Sequence, residues 1–276
     1  MTAPHSRTLD RETVLCISLA ARPSNIGTRF HNFLYNELGL NYVYKAFAPA
    51  DIGAAVAGIR GLPIRGAAVS MPYKEAVIDL VDVMEPSAAA IDSVNTIVND
   101  DGVLRAYNTD YQAVADLLEM SSFDRSAPAA VAGSGGMAKA VVAAMRDTGF
   151  VDVTVIARNR ATGTALAEKY GFRHATSVDG LRPTTLVNAT PIGMAGGPDA
   201  DGMPFSEQVV EGASNCLDVV AMPAATPLVR IMRARGAETI SGDAVIAGQA
   251  AVQFALYTGV RPTPEHVRAA SEYSRA

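Results

Sequence analysis

The chain has 276 residues, of which 49% are apolar and 18% charged, with a formal net charge of −5. This length exceeds what one hydrophobic core usually fills and predicts two lobes. The charge gives no basis for binding nucleic acid or an anionic membrane, and no run of about 18 apolar residues is present to span a bilayer.

The polar stretch Met1–Glu12 lacks the apolar segment of a signal peptide, so a cytoplasmic protein is expected. Val14–Leu19 is predicted as a strand. Gly27–Leu38 is predicted as a helix with Phe30, Phe33, Leu34 and Leu38 on one face and Gly39 as its stop. A strand over Tyr42–Phe47 follows, then a helix capped by Asp51 and running to Ile59. Gly66–Ser70 is a predicted strand, and a helix is expected after Pro72. Val94–Val98 and Val103–Tyr107 flank Asn-Asp-Asp-Gly at Asn99–Gly102, a hairpin signal. Helices between strands favour a partly parallel α/β sheet.

From Ala129 the alternation is more regular. Strands are predicted at Ala129–Ala132, Val153–Ala157, Thr185–Ala189, Leu217–Val220 and Glu238–Ile240, with helices at Met137–Asp147 and Thr162–Tyr170. This is the pattern of a doubly wound (Rossmann) nucleotide-binding lobe. The Ala-rich segment Ala244–Tyr257 is predicted as a long helix ending at Gly259. Cys16 and Cys216 lie in apolar runs and are expected as buried thiols in a reducing setting.

Residues 133–138, Gly133-Ser134-Gly135-Gly136-Met137-Ala138, carry a phosphate-cradling pattern between a strand and a helix. Gly133 permits a tight turn, Gly135 lets the backbone approach a pyrophosphate, and Ala138 lets the helix lie close to its strand. The helix N-terminus offers unpaired N–H groups and a positive dipole end. NAD readers place an acid at the end of the second strand, but here Ala157-Arg158-Asn159-Arg160 stands there, and Asp152 lies at the wrong end. Arg158 can fork onto a 2′-phosphate with help from Arg160, which predicts NADP(H); two solvated loop arginines are the bland alternative.

In the first lobe, Lys74 follows a predicted strand, Asn95 lies in Val94-Asn95-Thr96, and Asp110 opens a helix. Singly these read as a solvated lysine, a turn residue and a cap. Together with their neighbours they resemble the shikimate dehydrogenase family, most closely its shikimate dehydrogenase-like branch. The matching segments are Ala68–Lys74, Ser93–Thr96, Tyr107–Asp110, Gly133–Ala138, Asn188–Met194 and Gly248–Ala250, in order and nearly end to end.

The resemblance implies a catalytic dyad of Lys74 and Asp110, and substrate-hydroxyl binding by Asn95, Asp110 and Gln249. Ser70, where the family usually has Thr, carries over as a further substrate-binding residue. Cofactor contacts are expected from Ser134, Gly136, Met137, Asn159, Thr190, Val219 and Gly242 as well. The family architecture returns the C-terminal helix to the first lobe. It thus divides the chain into a substrate domain, 1–109 plus 247–276, with a mixed, partly parallel sheet, and an NADP-binding domain, 110–246. The implied reaction is reversible hydride transfer between NADP(H) and a ring carbonyl, with Lys74 handling the proton.

Two departures bear on the substrate. The family carries Ser-x-Ser-Pro ahead of His-Asn, and both hydroxyls grip the shikimate carboxylate; here Asn25-Ile26-Gly27-Thr28 precedes His31-Asn32. A hydrogen bond to a charged group contributes roughly 1.5–3 kcal/mol, so losing two costs roughly two to four decades of affinity. Ser24, the Asn25 amide, Thr28, Arg22 and Arg29 are the groups available to restore part of it. Ala221 stands where the family often has a carboxylate-binding Tyr. The expectation is the same chemistry on a related ring polyol acid, with weak shikimate turnover, set against a rearranged loop that still binds shikimate.

The resemblance implies a small-molecule ring acid as partner, and the protein is expected as a monomer or homodimer. His5, His31, His174 and His266 show no metal-ligand spacing, and no metal site is expected. His31 is expected as a packing or capping group. The alternatives are a methylenetetrahydrofolate dehydrogenase-type enzyme, disfavoured by Asn108-Thr109-Asp110 and Gln249, and a non-catalytic NADP-dependent sensor, disfavoured by the retained dyad.

Overall fold

The structure, a computed structural model, describes residues 9–276; His5 and most of the polar N-terminal stretch lie outside the described residues. The chain forms two compact units. One runs up to Thr109 and resumes over Ala247–Ala276; the other is Asp110–Ile246.

The first unit contains β1 (Val14–Leu19), α1 (Asn25–Glu37), β2 (Tyr42–Phe47), α2 (Ile52–Gly61), β3 (Gly66–Val69), β4 (Val83–Met84), α3 (Pro86–Ala89), β5 (Thr96–Asp100) and β6 (Val103–Tyr107). The sheet order is β2-β1-β3-β5-β6-β4. β1 pairs in parallel with β2 and β3, whereas β5 runs antiparallel to β3 and β6. The predicted hairpin forms with Asp100 opposite Val103. Its central residues, Asp101 (φ 52°) and Gly102 (φ 93°), are both left-handed, as a type I′ turn requires. Asn99 ties this turn to the end of α2, accepting from the Gly102 N–H (2.7 Å) and donating to the Ile59 carbonyl (2.9 Å). Asp51 caps α2 through the Ala54 N–H.

The helix expected after Pro72 does not form. Residues 71–77 make successive turns followed by one 3₁₀ turn, Ile78–Leu80. The Lys74 carbonyl, which a helix would bond to the N–H of Ile78, instead accepts from Val94 (2.9 Å). A tertiary bond has replaced the local one.

The second unit holds α4 (Thr109–Met120), β7 (Ala129–Ala132), α5 (Gly136–Asp147), β8 (Val153–Ile156), α6 (Arg160–Lys169), β9 (Arg173–Ala175), β10 (Thr185–Asn188), α7 (Glu207–Gly212), β11 (Asn215–Asp218), α8 (Pro227–Ala234) and β12 (Glu238–Ile240). Its sheet is parallel throughout, in the order β12-β11-β10-β7-β8-β9. β7 and β10 are buried at every residue, as strands covered on both faces are. The order reverses between β7 and β10, which is the topological switch point of a doubly wound sheet. The strand predicted at Leu217–Val220 ends earlier, at Asp218, because the Asp218 carboxylate captures the Val220 N–H (2.9 Å) and turns the chain.

The chain closes with α9 (Gly242–Thr258) and α10 (Pro264–Arg275). α10 lies beyond the elements predicted from sequence. Thr263 and His266 form its capping box, Pro264 begins its first turn, and Ala270 is buried in the cluster that contains Phe30 and Leu34 of α1. Cys16 and Cys216 are buried, unbridged thiols, both pushed up to about 12 chiefly by burial.

His31 is a packing group, as expected, and an extreme one. It is fully buried and stacked on Tyr44, with ring centroids 4.4 Å apart and planes 9° apart. Neither ring nitrogen has an aligned hydrogen-bond partner. Burial pushes its pKa from 6.5 down to about 3, opposed more weakly by the nearby Gln253 amide. The unfolded chain takes up this proton below about pH 6.5, whereas the folded unit refuses it until about pH 3. The contribution is therefore complete above the unfolded value and is lost as pH falls towards 3, at about 1.4 kcal/mol per pH unit. Between pH 7 and pH 5 the loss is about 2 kcal/mol. Thermal unfolding at the two pH values checks this: His31→Phe should lose less stability across the interval than the wild type, and equal losses would refute it.

Candidate active site

The cofactor loop follows from backbone geometry. Gly133 has φ 117°, and a Cβ there would lie 2.8 Å from the Ala189 carbonyl oxygen. Only glycine leaves β7 at this angle without displacing the end of β10. Gly135 is the N-cap of α5 with an ordinary φ of −82°, and added Cβ atoms on Gly135 or Gly136 would meet open space. These glycines therefore leave room beside the helix N-terminus, where free N–H groups attract an anion. Ala138 is fully buried against the sheet, and Met137 is half-buried on the first turn. Ser134 and Thr162 pair through their hydroxyls at 2.8 Å, which joins this loop to the start of α6. Asn159 caps α6 through the Thr162 N–H (3.2 Å), so its side-chain oxygen has a structural task. Arg158 and Arg160 are exposed at the end of β8. Asp152, at the opposite end of β8, is ion-paired with Arg173. The donor set thus suits a dinucleotide with a phosphate on its adenosine ribose.

A second group of side chains shapes the same edge of this sheet and escaped the sequence reading. Asn188 ends β10 and accepts from both the N–H (3.1 Å) and the hydroxyl (2.7 Å) of Thr190. Its amide donates to Ile192 O (2.9 Å) and to Asp218 (3.1 Å). Asp218 also accepts from Thr226 (2.7 Å). Burial raises the Asp218 pKa, and these hydrogen bonds oppose the rise. Val219 is held by its N–H to the Asn188 carbonyl (3.0 Å), and a Cβ on Gly242 would meet the Val220 carbonyl oxygen at 2.3 Å. Thr190 and Val219 are therefore tied to Asn188 by hydrogen bonds, and Gly242 packs closely on the adjoining Val219–Val220 backbone. The matching segment Asn188–Met194 signalled part of it; Asp218 and Thr226 carried no local pattern.

In the first unit, the strand order places a switch point between β1 and β3, and the carboxyl ends of such strands are where α/β sheets bind ligands. Ser70 is exposed at the end of β3, and its N–H donates to Leu19 O (2.9 Å). The Ala21 N–H donates to Met71 O (3.2 Å), lacing this segment to the connection that leads into Ser24 and Asn25. Lys74, half-buried, is anchored by its carbonyl to Val94. Asn95 is buried beside it. Its Oδ1 accepts from the Thr109 N–H (2.8 Å), the Thr96 hydroxyl (2.8 Å) and the Thr109 hydroxyl (3.2 Å). The Thr109 and Gln249 side chains lie 3.2 Å apart, and α9 thereby brings Gln249 to Asn95. Asp110 follows Thr109 directly, in the first turn of α4.

The helix predicted to begin at Gly27 starts two residues earlier, so that Asn25–Thr28 is the first turn of α1. Ser24 is its N-cap and makes no side-chain capping bond; both Ser24 and Asn25 are exposed. Thr28 turns inward instead, with its hydroxyl buried and unpartnered. The groups offered at this helix start are therefore Ser24 and Asn25, with Arg22 and Arg29 exposed nearby in sequence.

A family model of the shikimate dehydrogenase substrate-binding domain matches residues 25–97. A shikimate dehydrogenase-like protein of Haemophilus influenzae is 51% identical over 267 residues, 97% of this chain and 98% of that protein. The NADP(+) shikimate dehydrogenase of Chlorobaculum tepidum is 35% identical over 249 residues, 83% of this chain and 84% of that one. A solved shikimate 5-dehydrogenase-like protein superposes with a TM-score of 0.96 at 50% identity, covering 98% of this chain and 100% of its own. The Thermus thermophilus shikimate 5-dehydrogenase, solved with NADP(H) and shikimate, gives a TM-score of 0.84 at 29% identity, covering 95% and 99%. With relatives this similar over nearly its whole length, the chain belongs to the shikimate dehydrogenase family, in its shikimate dehydrogenase-like branch.

Proposed function

We propose that this protein is a cytoplasmic NADP(H)-dependent dehydrogenase that interconverts a ring alcohol and a ring ketone. Its substrate is of the shikimate/3-dehydroshikimate type or a related ring polyol acid, and shikimate itself is turned over weakly. One observation carries the reading: Asn95 and Gln249 converge on Thr109, which supports reading them as a single hydroxyl-binding group. The start of α1 has meanwhile exchanged two expected serine hydroxyls for Asn25 and Gly27. Together these features support a changed acid-binding end beside a retained reacting end.

The domain roles follow: 1–109 plus 247–276 holds the substrate and 110–246 the cofactor. NADP(H), when bound, supplies the hydride acceptor or donor. The open backbone at Gly135 and Gly136 receives its pyrophosphate, and Arg158, assisted by Arg160, holds the 2′-phosphate. In oxidation, the Lys74 amine accepts the proton of the reacting hydroxyl as its C–H electron pair leaves as hydride; in reduction, the ammonium returns that proton to the carbonyl oxygen. Asp110 orients the lysine and accepts from a neighbouring hydroxyl, while Asn95 and Gln249 fix the ring.

The test is reduction of NADP+ and of NAD+ at about pH 9 with shikimate, quinate and related ring polyol acids. A ring acid other than shikimate is expected to react best with NADP+, with shikimate kcat/KM below about 10⁴ M⁻¹s⁻¹, the low end of ordinary enzymes. Arg158→Ala should raise the NADP+ KM about tenfold, one charge-assisted hydrogen bond, and leave NAD+ unaffected. No reduction with any ring acid would defeat the enzyme reading. An efficient shikimate reaction would defeat the altered specificity.

A further inference from the structure

The Asn95 amide has two chemically different ends, and the buried network around it decides which end is presented. Gln253 on α9 is buried, and its Nε2 donates to the Thr96 hydroxyl oxygen (2.9 Å), with a longer contact to Asn95 O (3.4 Å). A threonine hydroxyl has one hydrogen and two lone pairs. With a lone pair taken by Gln253, the hydroxyl hydrogen is directed to Asn95 Oδ1, 2.8 Å away. The Thr109 N–H donates to the same oxygen (2.8 Å), while the single hydrogen of the Thr109 hydroxyl is divided between it and Gln249 Oε1, both 3.2 Å away. Two donors, the Thr96 hydroxyl and the Thr109 N–H, thus converge on Oδ1 at 2.8 Å, and among the described residues Asn95 Nδ2 donates to no acceptor. An inverted amide would set its own N–H groups against those donors, leaving buried groups unsatisfied.

We infer that Gln253 is a positioning residue which, through Thr96, holds the Asn95 amide with Nδ2 towards the ligand, so that Asn95 recognises a ligand oxygen as a hydrogen-bond acceptor. This rests on the reading of Asn95 as a substrate-binding residue. It assigns the two polar ligand contacts opposite tasks. Asn95 donates to an oxygen lone pair, whereas the Asp110 carboxylate accepts from a hydroxyl. A ligand that offers Asn95 an acceptor oxygen satisfies this contact; replacing that oxygen with an amine cation would set like donors together.

The experiment uses the full-length protein labelled with ¹⁵N. The Asn95 side-chain amide pair is identified by its disappearance in Asn95→Asp. In Gln253→Met and in Thr96→Val this pair is expected to shift or broaden. In Thr96→Ser, which keeps the hydroxyl, it should stay close to its wild-type position. The same variants are assayed with NADP+ and the ring acid to which the wild type responds best. Gln253→Met and Thr96→Val should raise the ring-acid KM about tenfold, leave the NADP+ KM unchanged and alter kcat less than KM, and Thr96→Ser should behave as wild type.

Thr96→Val keeps the side-chain shape and carries the test if Gln253→Met does not fold. An amide pair that stays in place when Gln253 or the Thr96 hydroxyl is removed overturns the positioning role, whatever the kinetics. An amide pair that moves in a protein that oxidises no ring acid supports the positioning role and overturns the substrate reading instead.

Discussion

A Lys74→Met protein is expected to fold and bind NADP(H) as the wild type does, while kcat falls by about 10²- to 10⁴-fold, the range for removal of one positioned proton-transfer group. This corresponds to about 2.7–5.4 kcal/mol of transition-state stabilisation. The fold should survive because this segment is anchored by its backbone. The Lys74 carbonyl accepts from Val94, and the Tyr73 N–H donates to Ser70 O (2.9 Å), bonds that are independent of the Lys74 side chain. Lys74→Arg separates two meanings of the lysine. A guanidinium keeps the positive charge but does not give up its proton in a protein. If Lys74 serves only to attract an anionic ligand, arginine restores activity. If it transfers a proton, arginine preserves binding and kcat stays low. Steady-state kinetics for both variants, beside their melting temperatures, decide between these outcomes; wild-type turnover in the folded Lys74→Met protein would remove it from the mechanism.

The second large effect distinguishes two glycines two positions apart. Gly133→Ala should both destabilise the protein and weaken NADP(H) binding. Its backbone at φ 117° disfavours any side chain, and the new Cβ would lie 2.8 Å from Ala189 O, on the connection to Thr190. Backbone strain of this kind costs about 1–3 kcal/mol before the clash is counted, and each kcal/mol lowers Tm by about 2–4 °C in a protein of this size. Gly135→Ala should leave Tm almost unchanged, since φ is −82° and its Cβ meets open space. It should nevertheless raise the NADP+ KM at least about tenfold, because the methyl occupies the space assigned to the pyrophosphate. Thermal melts and cofactor titrations of the two variants provide the check. A Gly135→Ala protein with wild-type NADP+ affinity would move the phosphate site away from this loop.

The elements most legible in the sequence were those whose signals are local. Val14–Leu19, Tyr42–Phe47, Val103–Tyr107 and Glu238–Ile240 form strands with the predicted bounds, and Asn-Asp-Asp-Gly makes the predicted hairpin. Apolar runs bounded by turn residues define such strands before any tertiary contact exists. The segment after Pro72 misled because its outcome depends on Val94, twenty positions away, capturing a carbonyl that a helix needs. α10 was missed because it is mostly polar, and its buried face has meaning only once α1 is there to cover it.

The candidate site divides in the same way. Gly133, Gly135 and Arg158 were readable because a phosphate loop and the strand end that follows it are contiguous in sequence. Lys74, Asn95 and Gln249 were readable only through resemblance, since each has an ordinary structural alternative when taken alone. No sequence signal marked Asn188, Asp218 and Thr226 as one network, or Gln253 as the support of Thr96.

The amino-acid sequence by itself determined the two-lobe α/β class, the glycine turn and the absence of an acid where an NAD reader would place one. These depend on periodicity, on the one residue type that tolerates a left-handed turn, and on charge at a fixed offset. Only the tertiary structure decided which end of Asn95 is free and that Thr28 turns inward. It alone also showed His31 buried without an aligned hydrogen-bond partner among aromatic side chains. Hydrogen-bond direction and desolvation are set by groups brought together from distant parts of the chain, and no local pattern encodes them.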